Sequence, residues 1–364
     1  MFPCADETVK HRLQSCNGTT SGFDYLRLVL ALSIVAFHSI NVTLGDTSHV
    51  WRGAYRAAAA CLLPMFFALS GFLVAASLER TKSLAVFLTY RAVRILPALA
   101  VEVFLSALVL GPLVTTLPLF SYFSDSRFWI YFGNIIGNIH FYLPGVFEAN
   151  PRPGVVNQPL WTVPYELECY IALAFLSLTG LVKQRFVLSA VIVAGIILAT
   201  NGLVQACPPD CLYRPGGRVL VLAFLSGVLS FQYSNRIKLG LPGLVLALWL
   251  ALVTLSIGQL YAFSILPLTY ITVWLGLTTP PKNNLLLRGD YSYGIYLFGY
   301  PVQQLAVSWF PDRPYWWFNL FVSLPLIFAC AIFSWHIIEK PILARRKIIA
   351  DFVVNLFSRQ SSPL

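Results

Sequence analysis

Apolar stretches about as long as a lipid bilayer is thick recur along this sequence, at about 24–43, 57–78, 92–115, 162–182, 186–203, 217–233, 239–257, 260–278, 291–309 and 317–338. A helix of roughly 20 residues crosses the hydrocarbon core. Backbone in lipid must satisfy its own N–H and C=O groups, so a chain built of such stretches is forced into helices. The expected fold class is an all-α polytopic membrane protein with about ten transmembrane helices. Only 11% of the residues are charged and 57% are hydrophobic, against about 25% charged in soluble domains. Little polar sequence is left for a separate soluble enzyme. The expected organisation is a cytoplasmic N-terminal tail over 1–22, one membrane domain over 23–341 and a cytoplasmic C-terminal tail over 342–364.

The net charge of +10 is spread over short loops, where Lys and Arg report membrane orientation rather than nucleic-acid binding. With the N-terminus inside and ten crossings, all seven lysines and eleven of the eighteen arginines fall on the cytoplasmic side. An eleventh crossing at "RFWIYFGNIIGNIHFYL", from Arg127, would turn Lys183, Lys238 and Lys347 outward. That stretch is broken by Gly133, Asn134, Gly137, Asn138 and His140 and is read as an interfacial or re-entrant piece. The long outer loop, about 116–161, is rich in Pro, Gly, Asn and aromatic residues. Such rings suit a membrane interface or a sugar, and the loop is read as a connector or a lid. The opening "MFPCADETVKHRLQSCNGTT" lacks a long apolar core and reads as a tail, not a cleavable signal. None of the seven cysteines forms a paired CxxC array, so no metal site is expected. Cys207 and Cys211 in "CPPDC" are either a local disulfide or two idle thiols.

Ionisable residues inside apolar stretches are costly and face a partner or a cavity. Arg27 and His38 share the first stretch. Eleven residues at about 100° each are about three turns plus 20°, so both side chains fall on one face, roughly 16 Å apart along the axis. Arg27 reads either as a snorkelling anchor or as part of a site. His38 reads as a satisfied interhelical hydrogen bond or as a general base, since histidine titrates near neutral pH. Arg91 and Arg94, three apart, share a face at the start of the third span. They are either orientation charges or an anion cradle. In "QPLWTVPYELECYI", Glu166 and Glu168 enter a helix at its outer end and point to different faces. Glu166 is a candidate partner for His38 or a solvated carboxylate. Ser70 and Gly71 read as a close helix approach, Glu102 and His336 as interhelical hydrogen bonding, and Tyr291, Tyr293 and Tyr296 as packing.

Six motifs then fall in one order: "FDYLRLVLALSIVAFH", "FFALSGFLV", "YRAVRILPAL", "PLWTVPYELECY", "SYGIYLFGYPV" and "IEKP". Together they resemble the acyltransferase-three family of membrane acyltransferases over about 23–341. The resemblance implies transfer of an acyl group, most often acetyl, from cytoplasmic acyl-CoA to a hydroxyl of a carbohydrate or lipid-linked sugar. It also implies a bacterial inner membrane and no bound cofactor. Arg27 and His38 match the family's essential arginine and histidine, Arg91 and Arg94 its paired arginines, and Glu166 the first glutamate of its Trp-containing motif. Many members carry Glu and Gln where this chain has Leu167 and Glu168. The expected site therefore has His38 and Glu166 as catalytic residues and Arg27, Arg91 and Arg94 for acyl-CoA. Trp161 and Glu168 are further candidates for an acceptor contact or polar network. The alternative from another class is a proton-coupled transporter or flippase, although no inverted repeat supports it. A noncatalytic scaffold is the third.

Overall fold

The computed structural model describes residues 3, 7–16, 18, 20–45, 55–81, 83–206, 216–283 and 288–360; Cys207 and Cys211 lie outside them. Helices occupy all ten expected stretches. With a short helix before them and one after them, the helices are in chain order α1 (Val9–Ser15), α2 (Ser21–Leu44), α3 (Arg56–Arg80), α4 (Leu84–Leu105), α5 (Val163–Leu178), α6 (Arg185–Ala206), α7 (Gly217–Gln232), α8 (Leu241–Ser256), α9 (Ile265–Gly276), α10 (Ser292–Trp309), α11 (Trp316–Phe333) and α12 (Arg346–Gln360). Among the described residues six helical runs are long and apolar enough to cross a membrane: Ser21–Leu44, Arg56–Arg80, Leu84–Val114, Arg185–Gly202, Gly258–Gly276 and Trp316–Ala344. α7 and α8 are apolar but only 16 residues long. α10 falls outside that set because serines, tyrosines and two glutamines interrupt its apolar run.

Two of these runs widen at their ends into π-helix, at Ser106–Leu110 and at Ser334–Glu339. Each π segment stops two residues before a proline, Pro112 and Pro341. A proline ring collides with the carbonyl four residues back and offers it no N–H. A wider turn relieves that collision.

The stretch from Arg127 is six residues of α-helix, Ser126–Tyr131, then a 3-10 turn, Phe132–Ile136, stopped by left-handed Gly137. At about 1.5–2 Å per residue neither piece reaches across a bilayer.

The chain divides into two units. In the first (1–30, 48–82 and 165–287), α3 and α7 approach backbone to backbone. A Cβ on Gly71 would strike the Phe224 carbonyl, and one on Gly227 the Ala68 carbonyl. This is the small-residue packing that membrane helices use in place of a hydrophobic drive. Phe72 fills the neighbouring space, its ring centroid 5.5 Å from Phe23 and 5.6 Å from Phe231. The last carbonyls of α9, which have no partner within the helix, are taken by side chains from the N-terminus. Thr20 donates to Gly276 O, and Arg12 Nε donates to Leu277 O at 3.1 Å.

In the second unit (31–47, 83–164 and 288–364), α10 is buried along most of its length and carries polar anchors. Gln303 Nε2 donates to Val35 O of α2 at 2.8 Å, and Asn319 Nδ2 of α11 donates to Gln303 O at 2.9 Å. Gln304 Nε2 reaches the Arg152 and Val155 carbonyls at 2.8 and 2.7 Å. Among the described residues the loop over 116–161 has short helical segments and isolated bridges but no strand, and side-chain amides such as Gln304 tie it to α10.

Candidate functional site

The second unit contains His38, Arg91, Arg94 and Trp161; the first contains Arg27, Glu166 and Glu168. Each group is described within its own unit.

His38 stands on α2, half-buried, with its ring edge-on to Tyr300 of α10 at 5.3 Å and 80°. Among the described residues its imidazole takes no hydrogen bond. Tyr300 is fully buried, and its hydroxyl has two acceptors in reach, Asn41 Oδ1 at 3.0 Å and Gln158 Oε1 at 3.2 Å, with one proton to give. Asn41 and Gln158 thus fix the tyrosine that fixes the histidine ring. A half-buried imidazole with unengaged nitrogens can accept a proton from a bound hydroxyl.

Arg94 lies in a clamp. Its Nη1 donates to Glu339 Oε2 at 2.7 Å and its Nη2 to Asp290 Oδ2 at 2.6 Å, while its guanidinium lies 5.7 Å from the centre of the Tyr293 ring. The π segment delivers Glu339, and Ser292 donates to the other oxygen of Asp290 at 2.7 Å. The open guanidinium fork expected of Arg94 is therefore closed by two carboxylates. Arg91, one turn earlier on α4, lies 5.9 Å from the Phe87 ring centre.

A second buried carboxylate, Glu102, receives Ser106 Oγ and Asn157 Nδ2, each at 2.8 Å on Oε1. Asn157 Nδ2 also donates to Leu297 O at 2.9 Å. The hydrogen bonding of Glu102 is thus within its own helical run and to the loop, and Asn157, not the carboxylate itself, makes the link to α10. His336 Nε2 meets the Tyr291 hydroxyl at 3.2 Å, as expected of it, and Tyr293 donates to Ile95 O at 3.1 Å. Trp161 sits half-buried on the 3-10 turn Gln158–Thr162, where Thr162 Oγ1 and the Tyr296 hydroxyl lie 2.6 Å apart.

In the first unit, Arg27 Nη2 pairs with Asp24 at 2.6 Å, one turn back on α2. Tyr170 donates to Glu166 Oε1 at 2.6 Å, and Glu168 points to the exposed side of α5. α2 is one unbroken helix over Ser21–Leu44, so the helical spacing that puts Arg27 and His38 on one face holds.

Sequence reasoning passed over Tyr300, Gln303, Gln304, Asn157, Asp290 and Glu339 as site residues. The signal for three of them was present: two adjacent glutamines and a tyrosine inside the apolar run of α10 are costly in lipid unless bonded.

The sequence model of one protein family, described as an acyltransferase domain, matches residues 20–337. The chain is 30% identical over 362 residues to Nodulation protein 10 of Rhizobium leguminosarum bv. viciae, covering 91% of this chain and 95% of that protein. It is 26% identical over 339 residues to an O-acetyl transferase of Shigella phage Sf6, covering 89% of this chain and 96% of that one. No solved structure matches the chain.

Proposed function

This chain belongs to the acyltransferase family, and on that premise we propose that it is an O-acetyltransferase, moving acetyl from acyl-CoA to a hydroxyl of a carbohydrate or glycolipid acceptor. The relative named an O-acetyl transferase supports the acetyl group. The observation that carries the mechanism is the imidazole of His38, half-buried, seated edge-on to Tyr300 and unengaged by the described residues.

His38 removes the proton from the acceptor hydroxyl as its oxygen attacks the thioester carbonyl. The new C–O bond forms, the C–S bond breaks, and the leaving thiolate takes up the proton that His38 removed, which returns the imidazole to its neutral form. Within the second unit Arg91 is the proposed cation for the phosphates of the donor, and within the first unit Arg27 is a candidate anion contact. Arg94, bound to Asp290 and Glu339, is assigned a positioning role: it holds the middle of α4, one turn after Arg91. Glu166 is a second ionisable residue that the reaction needs, and Trp161 and Glu168 are candidates on the acceptor side. The protein spans a bacterial inner membrane ten times with both ends in the cytoplasm; the split of Lys and Arg between alternate loops supports that orientation.

The test is transfer of radiolabelled acetyl from acetyl-CoA to acceptor in membranes carrying the chain. His38→Ala is expected to lower the rate by about 10²-fold or more while the folded protein persists. Full activity in that variant overturns the base assignment. An acceptor that crosses the membrane without gaining an acetyl group overturns the enzyme reading in favour of a transporter.

A further inference from the structure

The loop over 116–161 lines a half-open cavity of about 530 Å³, within the size range of small-molecule sites. Its lining combines Arg127, His140 and Glu148 with the rings of Phe141 and Tyr142.

Four of these residues, all but Phe141, are held by local devices. Asn134 is fully buried and uses its whole amide to close the turn that carries His140. Its Nδ2 donates to Tyr131 O and His140 O at 2.8 and 2.9 Å, and its Oδ1 accepts His140 N at 2.8 Å. Phe147, the residue before Glu148, has φ +55, a left-handed conformation that costs a bulky side chain energy and marks an over-determined position. Thr116 Oγ1 donates to Glu148 Oε2 at 3.3 Å. Gly154, at φ +73, lies under the Tyr142 ring, where an added Cβ would come within 3.1 Å of it. Arg127 is bonded by Asp125, with Nη2 to Oδ2 at 2.7 Å.

This lining favours one class of ligand. Arg127 is already paired with Asp125, and Glu148 adds a negative charge to the lining, so an anion gains nothing from entering. Arg127 and His140 supply N–H donors, Glu148 and the Tyr142 hydroxyl supply acceptors, and the two rings supply apolar faces. A molecule with hydroxyls around its edge and C–H groups on its face uses all three. We infer that this cavity is a binding subsite for a neutral sugar ring, the docking place of the acceptor. The assignment to the acceptor rests on the acyl-transfer reading; the sugar site itself does not.

Saturation-transfer NMR on the full chain in a sugar-free detergent tests it, with methyl β-D-glucopyranoside as neutral probe and glucuronate and inorganic phosphate as charged ones. The neutral probe is expected to gain signal from the wild-type protein. Loss of a ring or an acceptor should weaken binding by about fivefold in Tyr142→Ala and in Glu148→Gln. Tyr142 is 53% exposed, so its truncation empties no core, and circular dichroism with a single size-exclusion peak checks the fold of both variants. Absence of wild-type signal, equal signal in Tyr142→Ala, or preference for a charged probe overturns the site. If the probe binds through Tyr142 while no acceptor is ever acetylated, the acyl-transfer reading falls and the sugar site stands.

Discussion

Ser334 and Glu339 stand five residues apart, and their side chains meet at 3.1 Å because the backbone between them is wound as a π-helix. In an α-helix that pair would diverge by more than a third of a turn. The wider turn is what lets Glu339 serve Ser334 with one oxygen and Arg94 with the other. Glu339→Gln keeps the shape and removes the charge. Hydrogen bonds to charged groups contribute about 1.5–3 kcal/mol, so the thermal midpoint of the detergent-solubilised protein should fall by several degrees. An unchanged midpoint would show that the clamp carries no stability.

Tyr300 separates the two ways a residue can hold His38. Tyr300→Phe keeps the ring that packs against the imidazole and loses the hydroxyl that Asn41 and Gln158 accept. Tyr300→Ala loses both. The expected order in kcat is wild type, then Phe within about tenfold, consistent with loss of about 1 kcal/mol, then Ala well below. Equal kcat for Phe and Ala would mean that the ring contact does not position the base.

At Gly71 the prediction concerns packing. A side chain there meets the Phe224 carbonyl of α7, a backbone atom that cannot swing aside. Gly71→Val should cost about 3 kcal/mol, the upper end of overpacking. The reading is the monodisperse fraction on size exclusion together with the thermal midpoint; a variant as stable as wild type would refute the close approach.

Glu102 offers a contrast between shape and polarity. Glu102→Leu leaves the Ser106 hydroxyl with no carboxylate to donate to and strips Asn157 of one acceptor, whereas Glu102→Gln keeps an oxygen in place. Leucine should therefore be the less stable of the two by about 1–3 kcal/mol, measured by thermal unfolding of both variants side by side.

In the loop, hydrogen bonds from the Arg127 side chain and then from its backbone N–H hold the Asp125 carboxyl below its ordinary pKa. A depressed acid lends stability that is complete above its unfolded value, about 3.9, and is lost as pH falls through the folded value. Hydrogen exchange across 119–131 should be unchanged from pH 7 to pH 5 and quicken, after correction for intrinsic rates, below about pH 4. Asp125→Asn should remove that acid dependence.

Much of this architecture was readable because hydropathy and chain length act locally. Stretches of about twenty apolar residues had to become helices, and they did. What escaped was set by contacts between distant residues. Arg94 reads from sequence as an open cation on a helix face, and its two carboxylates come from 196 and 245 residues further along the chain. The π segments were legible only in part: Pro112 and Pro341 announce a disturbed helix end without saying that the disturbance is a widening. The glutamines of α10 were visible as polar residues in an apolar run, but their partners in α2 and in the loop were not.

Gln303 and Gln304 are neighbours in sequence, so their side chains leave α10 about 100° apart. One grips the backbone of α2 three residues from His38, and the other grips the loop at Arg152 and Val155. A rod tethered in two directions can neither spin nor creep on its own. The loop and the helix that presents the imidazole are therefore both anchored on α10, through two side chains that follow one another in the sequence.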